Sequence, residues 1–185
     1  MADDTGEVEE ITSICNALVV NIGTLNQQTI PSMLLAAKRA ADLGHPLVLD
    51  PVGAGASSLR TKTALELLAK TPFTVVRGNI SEIKALTGAR GGAKGVDADV
   101  ADKITEENLD QGLAFARQFA QQKGLIVTIT GAVDIIADSR AAYLIRNGHP
   151  MMAKITGTGC MLAAVMAAFL AANPAQELEA EKAAM

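Results

Sequence analysis

The stretch LVLDPVGAG, Leu47–Gly55, decides the fold. Leu47–Leu49 is apolar at every position instead of alternating, which marks a strand covered on both faces. It stops at Asp50-Pro51, a pair that ends strands, and passes into glycines that open a loop. A helical stretch, Thr61–Ala69, follows. Strand, polar loop and helix in that order form the unit of a parallel α/β sheet, joined by right-handed crossovers.

Working outward, the unit repeats. ALVVN, Ala17–Asn21, precedes a helix over Pro31–Leu43, with Pro31 in the first turn, where its missing N–H costs nothing. Phe73–Val76 leads into a short helix over Ile80–Leu86. Leu109–Gln122 has the helical period, with Leu113, Phe115, Ala116, Phe119 and Ala120 on one face, and LIVTI, Leu125–Ile129, follows it. The order then changes. Val133–Ala137 and Ala141–Ile145 flank Asp138-Ser139-Arg140 and read as a hairpin. Lys154–Gly159 leads to an apolar helix that begins near Gly159 or Cys160 and is expected to be buried. Gly88–Asp102, rich in Gly, Ala and Asp, reads as a loop, and Gln176–Met185 as an exposed helix or frayed end. The expectation is a single α/β domain over residues 1–185, a mostly parallel sheet covered by helices on both faces in three layers.

Composition narrows the function. The 185 residues suit one hydrophobic core. Apolar residues reach 49% but aromatics only 3%, so core volume comes from Ala, Leu, Ile, Val and Met, as in tight helix-on-sheet layers. A net charge of −4 gives no basic footprint and argues against a nucleic-acid partner. Asp3, Asp4, Glu7, Glu9 and Glu10 stand where a signal peptide would be basic and then apolar. The longest apolar run, Cys160–Ala172, falls short of the ~20 residues a spanning helix needs, so no membrane partner is expected. Two scattered cysteines, Cys15 and Cys160, make neither a disulfide framework nor a zinc site. A cytoplasmic enzyme with reduced thiols is the expectation, with Cys15 a packing residue.

Function is written at the strand ends. The first run ends in Asn21-Ile22-Gly23-Thr24, the second in Asp50-Pro51-Val52-Gly53-Ala54-Gly55, the third in Arg77-Gly78-Asn79 with Glu82 close behind, and the fourth in Thr130-Gly131. In an open parallel sheet these ends share one rim, where ligands bind. Carboxylate and amide oxygens suit magnesium, and glycines let backbone N–H groups approach phosphate closely. Each feature also has a purely structural reading. Asp50-Pro51 ends a strand, Asn79 and Glu82 have capping-box spacing, Arg77 can be a solvated charge, and Thr130-Gly131 can be a turn. Their shared position at successive strand ends is what favours a site.

Thr156-Gly157-Thr158-Gly159-Cys160, entering the apolar helix, is the strongest single motif. Gly157, Thr158 and Gly159 at a helix start direct unpaired N–H groups at one point, with the positive end of the helix dipole behind them: an anion hole. The structural alternative is a glycine-rich turn with Thr158 as N-cap and Cys160 as a small buried residue. No Gly-Lys-Ser/Thr follows, so this is not the common P-loop.

NIGTL at Asn21–Leu25, LDPVGAGA at Leu49–Ala56, RGNISEI at Arg77–Ile83, TG at Thr130–Gly131 and TGTGC at Thr156–Cys160 together resemble the hydroxyethylthiazole kinases, a ribokinase-like group. The resemblance runs from about Met1 to Asn173, in order and with compatible gaps. It implies transfer of phosphate from ATP, with Mg²⁺, to the hydroxyl of 4-methyl-5-(2-hydroxyethyl)thiazole in thiamine biosynthesis and salvage. It further implies that Arg77 and Thr130 contact nucleotide phosphates. Asp50 and Glu82 would organise the metal, with Asn79 beside them. Gly157 would contact the thiazole alcohol, Cys160 would take the place of the catalytic base, and Met1 would line the thiazole pocket. Members are homotrimers with sites between subunits, and they extend further at both ends, so the chain is expected to be truncated. Two other functions stay open: an ADP- or ATP-dependent NAD(P)H-hydrate dehydratase on the same fold, which carries Asp where this chain has Cys160, and a non-catalytic nucleotide-binding fragment. A phosphomethylpyrimidine or pyridoxal kinase is a weaker alternative.

Overall fold

A computed structural model describes residues 3–88 and 104–185. Met1 and all but the first residue of the Gly88–Asp102 loop lie outside the described residues. Among the described residues, six strands form one sheet, in chain order across it. β1 (Leu18–Asn21), β2 (Leu47–Asp50), β3 (Val75–Asn79) and β4 (Ile126–Thr130) are parallel neighbours. β5 (Asp134–Ala137) and β6 (Ala142–Ile145) extend the sheet as an antiparallel hairpin. The helices are α1 (Val8–Ser13), α2 (Thr29–Asp42), α3 (Ser58–Lys70), α4 (Ile80–Ala85), α5 (Leu109–Lys123), α6 (Thr158–Ala172) and α7 (Glu177–Ala184).

Successive strand side chains point to opposite faces, so a continuous apolar run feeds two cores at once. Leu47 and Leu49 of β2, Val76 of β3, Val127 and Ile129 of β4 and Ile135 of β5 pack with Ala37, Leu67, Phe115 and Phe119 from α2, α3 and α5. Val48, Val75, Ile126 and Ile136 face the other way, onto Ala163, Ala167 and Leu170 of α6 and Ala180 of α7. The result is the three-layer α/β architecture expected from the sequence.

Gly112 shows how close these layers come. A Cβ there would lie 2.8 Å from Ile104 Cδ1 and 3.0 Å from Ile135 Cδ1, so α5 approaches β5 only through a glycine. Gly124, with φ of 67°, ends α5 in the left-handed conformation and donates its N–H to the Ala120 carbonyl at 2.8 Å.

Four expectations are corrected. β3 starts two residues later than Phe73 and continues through Arg77, Gly78 and Asn79, because pairing with β4 runs on to Asn79 opposite Thr130. Polar residues thus sit inside a strand, held by its ladder. α6 is not buried all round: Met161, Val165 and Phe169, four residues apart, are exposed. A helix lying on one sheet face buries one stripe, however apolar its other side. The tail is neither frayed nor wholly exposed, since α7 docks on α6 and β5 and buries Ala180 and Glu181. Cys15 is exposed, two residues beyond α1, and its thiol donates to the Ile11 carbonyl at 3.1 Å.

Glu181 is the strangest core residue. Neither carboxyl oxygen has a hydrogen-bond partner among the described residues, and the Thr128 hydroxyl facing it is also unbonded. Burial first, then the neighbouring Glu177 charge, pushes its pKa up to about 8, an effect Thr128 only partly offsets.

Candidate active site

The period of two that builds the cores also builds the site. Asn21 lies two residues after Val19, Asp50 two after Val48, Arg77 two after Val75, and Thr130 four after Ile126. All four side chains therefore point toward the layer that contains α6, at the end of the sheet where each parallel strand stops. The N-terminus of α6 arrives at that same place.

There the side chains touch. Asp50 is fully buried, and Arg77 Nη1 stands 3.4 Å from its Oδ1. Arg77 Nη2 donates to Thr130 Oγ1 at 3.1 Å. Asn21 Nδ2 donates to Asp50 Oδ2 at 2.8 Å and to Cys160 Sγ at 3.1 Å. Burial raises the Asp50 pKa above the usual carboxylate range; the Arg77 charge opposes that rise and the Glu82 charge adds to it.

The α6 start has the geometry of an anion hole. Gly157 is the N-cap, left-handed at φ of 90°, and makes no side-chain cap. Thr158 is the first helical residue and not the cap that its structural reading required. The first intrahelical bond, Met161 N–H to the Gly157 carbonyl, spans 2.9 Å and leaves the preceding N–H groups of the helix without intrahelical partners. A Cβ on Gly159 would lie 2.6 Å from both terminal nitrogens of Arg77, so only a glycine lets the helix start close over that guanidinium.

Asn79 and Glu82 do form the capping box that their spacing suggested: the Glu82 N–H reaches Asn79 Oδ1 and the Asn79 N–H reaches Glu82 Oε2, both at 2.9 Å. Glu82 does more than cap, because its Oε1 accepts the Gly53 N–H at 2.9 Å and ties the β2 loop to the start of α4.

The structure adds residues that the sequence reading passed over as site members. Asn21 joins Asp50 to Cys160. Arg60, on α3, donates to the Val52 carbonyl at 3.0 Å and the Gly23 carbonyl at 2.9 Å, clamping the loops after β2 and β1. Asp134, at the start of β5, accepts the Gly131 N–H at 2.8 Å. Burial raises its pKa, while that N–H and the Arg77 charge oppose the rise. Asp134 follows the Thr130-Gly131 turn by three residues, and that spacing was the signal available in the sequence.

The open α/β sheet whose rim faces a glycine-lined helix start is the fold of ribokinase-like proteins, and one from Enterococcus faecalis shares it at a TM-score of 0.63 and 15% identity. The chain belongs to the hydroxyethylthiazole kinase family, whose family model matches residues 1–185. It is 59% identical over 180 residues to the hydroxyethylthiazole kinase of Clostridium acetobutylicum, covering 97% of this chain and 66% of that one. Against the Pyrococcus furiosus enzyme of the same name the identity is 48%, over 94% of this chain and 63% of that one. The solved hydroxyethylthiazole kinase protein of Pyrococcus horikoshii superposes at a TM-score of 0.85 and 37% identity, spanning all of this chain and 65% of that one. Bacillus subtilis pyridoxal kinase, solved as an ADP complex, shares the fold at 24% identity and a TM-score of 0.65. The chain thus spans about two thirds or less of the length of the relatives it matches.

Proposed function

We propose that the protein transfers the γ-phosphoryl group of ATP to the hydroxyl of 4-methyl-5-(2-hydroxyethyl)thiazole, supplying thiazole phosphate for thiamine synthesis. The observation that carries this is the meeting of Asp50, Arg77, Thr130 and Cys160 at the start of α6 in a member of this family. Cys160 also separates this reading from the dehydratase one, which needs Asp there.

The residues fit a magnesium ion. Their donors are hard carboxylate oxygens, and Asp50 is a fully buried carboxylate with Arg77 beside it and the Glu82 charge close enough to raise its pKa. Magnesium keeps most of its waters and takes phosphate oxygens, so few protein ligands are needed. Asp50 and Glu82 would hold it, with Asn79 beside them, and the ion would supply charge neutralisation at the phosphates.

The chain's own groups do the rest. Arg77 and Thr130 bind nucleotide phosphates, and the N–H groups of Gly157, Thr158, Gly159 and Cys160 receive the transferring group. Gly157 also contacts the alcohol, and Met1 lines the thiazole pocket. The alcohol oxygen forms the new bond to the γ-phosphorus while the bond to the β,γ-bridging oxygen breaks, its electron pair leaving with ADP. Cys160 accepts the alcohol proton. Because such transfer is largely dissociative, this base acts late and contributes less than positioning does. A homotrimer with sites between subunits, in the cytoplasm, belongs to the same reading.

The test is ADP release from ATP and magnesium, with and without the thiazole alcohol. Release that depends on the alcohol supports the reading. Release that needs a hydrated nicotinamide nucleotide instead would sink it, and so would no release at all.

A further inference from the structure

Asn21 hydrogen-bonds to both Asp50 and Cys160, and its orientation is settled by a third contact. Its Oδ1 accepts the Gly23 N–H at 2.8 Å. A backbone N–H can only donate, so the atom facing it is the amide oxygen. The amide nitrogen must then face inward, where its two N–H groups reach Asp50 Oδ2 at 2.8 Å and Cys160 Sγ at 3.1 Å. Its inward-facing donors are both used, and one planar group joins β1, β2 and α6. The surrounding sequence is shaped to allow this. Asn21 and Asp50 are partners in the β1–β2 register, and a Cβ on Gly23 would lie 2.9 Å from Asn21 Oδ1, so a side chain there would displace the amide.

The polarity of the contact matters as much as its position. Asn21 presents a donor to sulfur, so a lone pair of Cys160 faces the amide and the sulfur is held at that distance. An aspartate in place of Asn21 would keep the Gly23 contact and the shape, but would set a carboxylate against Asp50 and take the donor away from the sulfur.

We infer that Asn21 is a positioning residue that fixes the Cys160 sulfur relative to the Asp50 carboxylate during transfer to an alcohol. This rests on the kinase reading for its catalytic consequence, but not for its physical content. The experiment therefore reads both, in the full chain. Asn21→Asp and the similarly shaped, apolar Asn21→Leu are compared with the wild type by steady-state kinetics and by iodoacetamide alkylation followed by peptide mass spectrometry. The exposed Cys15, remote in sequence and bonded only to its own turn, serves as internal standard.

The expected result for either variant is a kcat lowered about 10- to 100-fold, the rate equivalent of one hydrogen bond to a charged group, with KM for ATP and alcohol within about threefold. Alkylation of Cys160 relative to Cys15 changes by about threefold or more in both variants, because the sulfur is no longer held by the amide. A folded variant with wild-type kcat and a wild-type alkylation ratio overturns the inference, as does a loss confined to KM. If the wild-type chain releases no ADP, the kinase reading fails and the alkylation ratio alone decides. If Asn21→Asp does not fold, Asn21→Leu is read in its place.

Discussion

Replacing Glu181 with glutamine should stabilise the protein, and more so as pH rises. A carboxyl whose ordinary pKa is 4.5 is held at about 8 by burial in the core between α7 and β4. The folded state therefore binds this proton more tightly than the unfolded chain does. Whatever stability the group contributes is fully present below pH 4.5, falls as pH rises toward 8, and stays constant above it. The slope is about 1.4 kcal/mol per pH unit, so the cost reaches about 3 kcal/mol at pH 7 and about 5 kcal/mol above pH 8. Against a total of roughly 5–15 kcal/mol for a domain, that is a large share. Glutamine is neutral throughout, so the difference between the two proteins should be near zero at pH 4.5 and should open along that slope. The groups that face Glu181 are Glu177, whose charge adds to the cost, and the neutral Thr128, which offsets part of it. Urea unfolding followed by far-ultraviolet circular dichroism at pH 5, 7 and 9 measures the difference, since the chain has no Trp to report by fluorescence. A difference that does not change with pH would refute the reasoning. An early plateau would have a distinct meaning: α7 lifts off to hydrate the carboxylate, the cost is capped at the undocking energy, and hydrogen exchange in α7 should accelerate.

Three further outcomes follow from single contacts. Cys160→Ser should lower turnover without abolishing it, whereas Asp50→Ala should weaken magnesium dependence more severely; unchanged kinetics for both would end the assignment of roles. Gly159→Ala would drive a methyl group into the Arg77 guanidinium, which Asp50 and Thr130 hold, and should raise KM for ATP about tenfold, an effect of about 1.4 kcal/mol, measured in the ADP-release assay. Gly112→Ala should destabilise by about 1–3 kcal/mol through overpacking against Ile104 and Ile135, read as a lower urea midpoint with an unchanged slope.

The layout of the sheet was legible because strands buried on both faces cannot alternate. LVLD, ALVVN and LIVTI announce themselves as strands by continuous apolarity, and the helices between them by period. The same rule hides what it cannot see. β3 carries Arg77 through Asn79 on pairing with β4 alone, and hydropathy stops at Val76. The apolarity of α6 says that it packs, but the number of neighbours it meets depends on the layers above the sheet, and Met161, Val165 and Phe169 meet none that bury them. α7 was harder still: its polar sequence conceals that Glu181 faces inward, where no reading of composition would place a carboxylate.

The site was legible as a place and less so as a set of contacts. Parallel strands end on one rim, so Asp50, Arg77 and Thr130 could be gathered from sequence order alone. The parity of each residue within its strand carries a second layer of information, the face on which each side chain lies. Counting by twos from Val19, Val48 and Val75 puts Asn21, Asp50 and Arg77 on the α6 side together, and Asn21 then becomes the natural link to Cys160. Arg60 defeats this kind of counting. It sits on a helix and binds the carbonyls of Gly23 and Val52, and a backbone carbonyl has the same chemistry at every residue, so no pattern of side chains marks where it will be needed. The residues that touch one another at the rim can be read from period and register, whereas those that hold the rim's loops in place become visible only when the backbone's own hydrogen-bonding groups have been located in space.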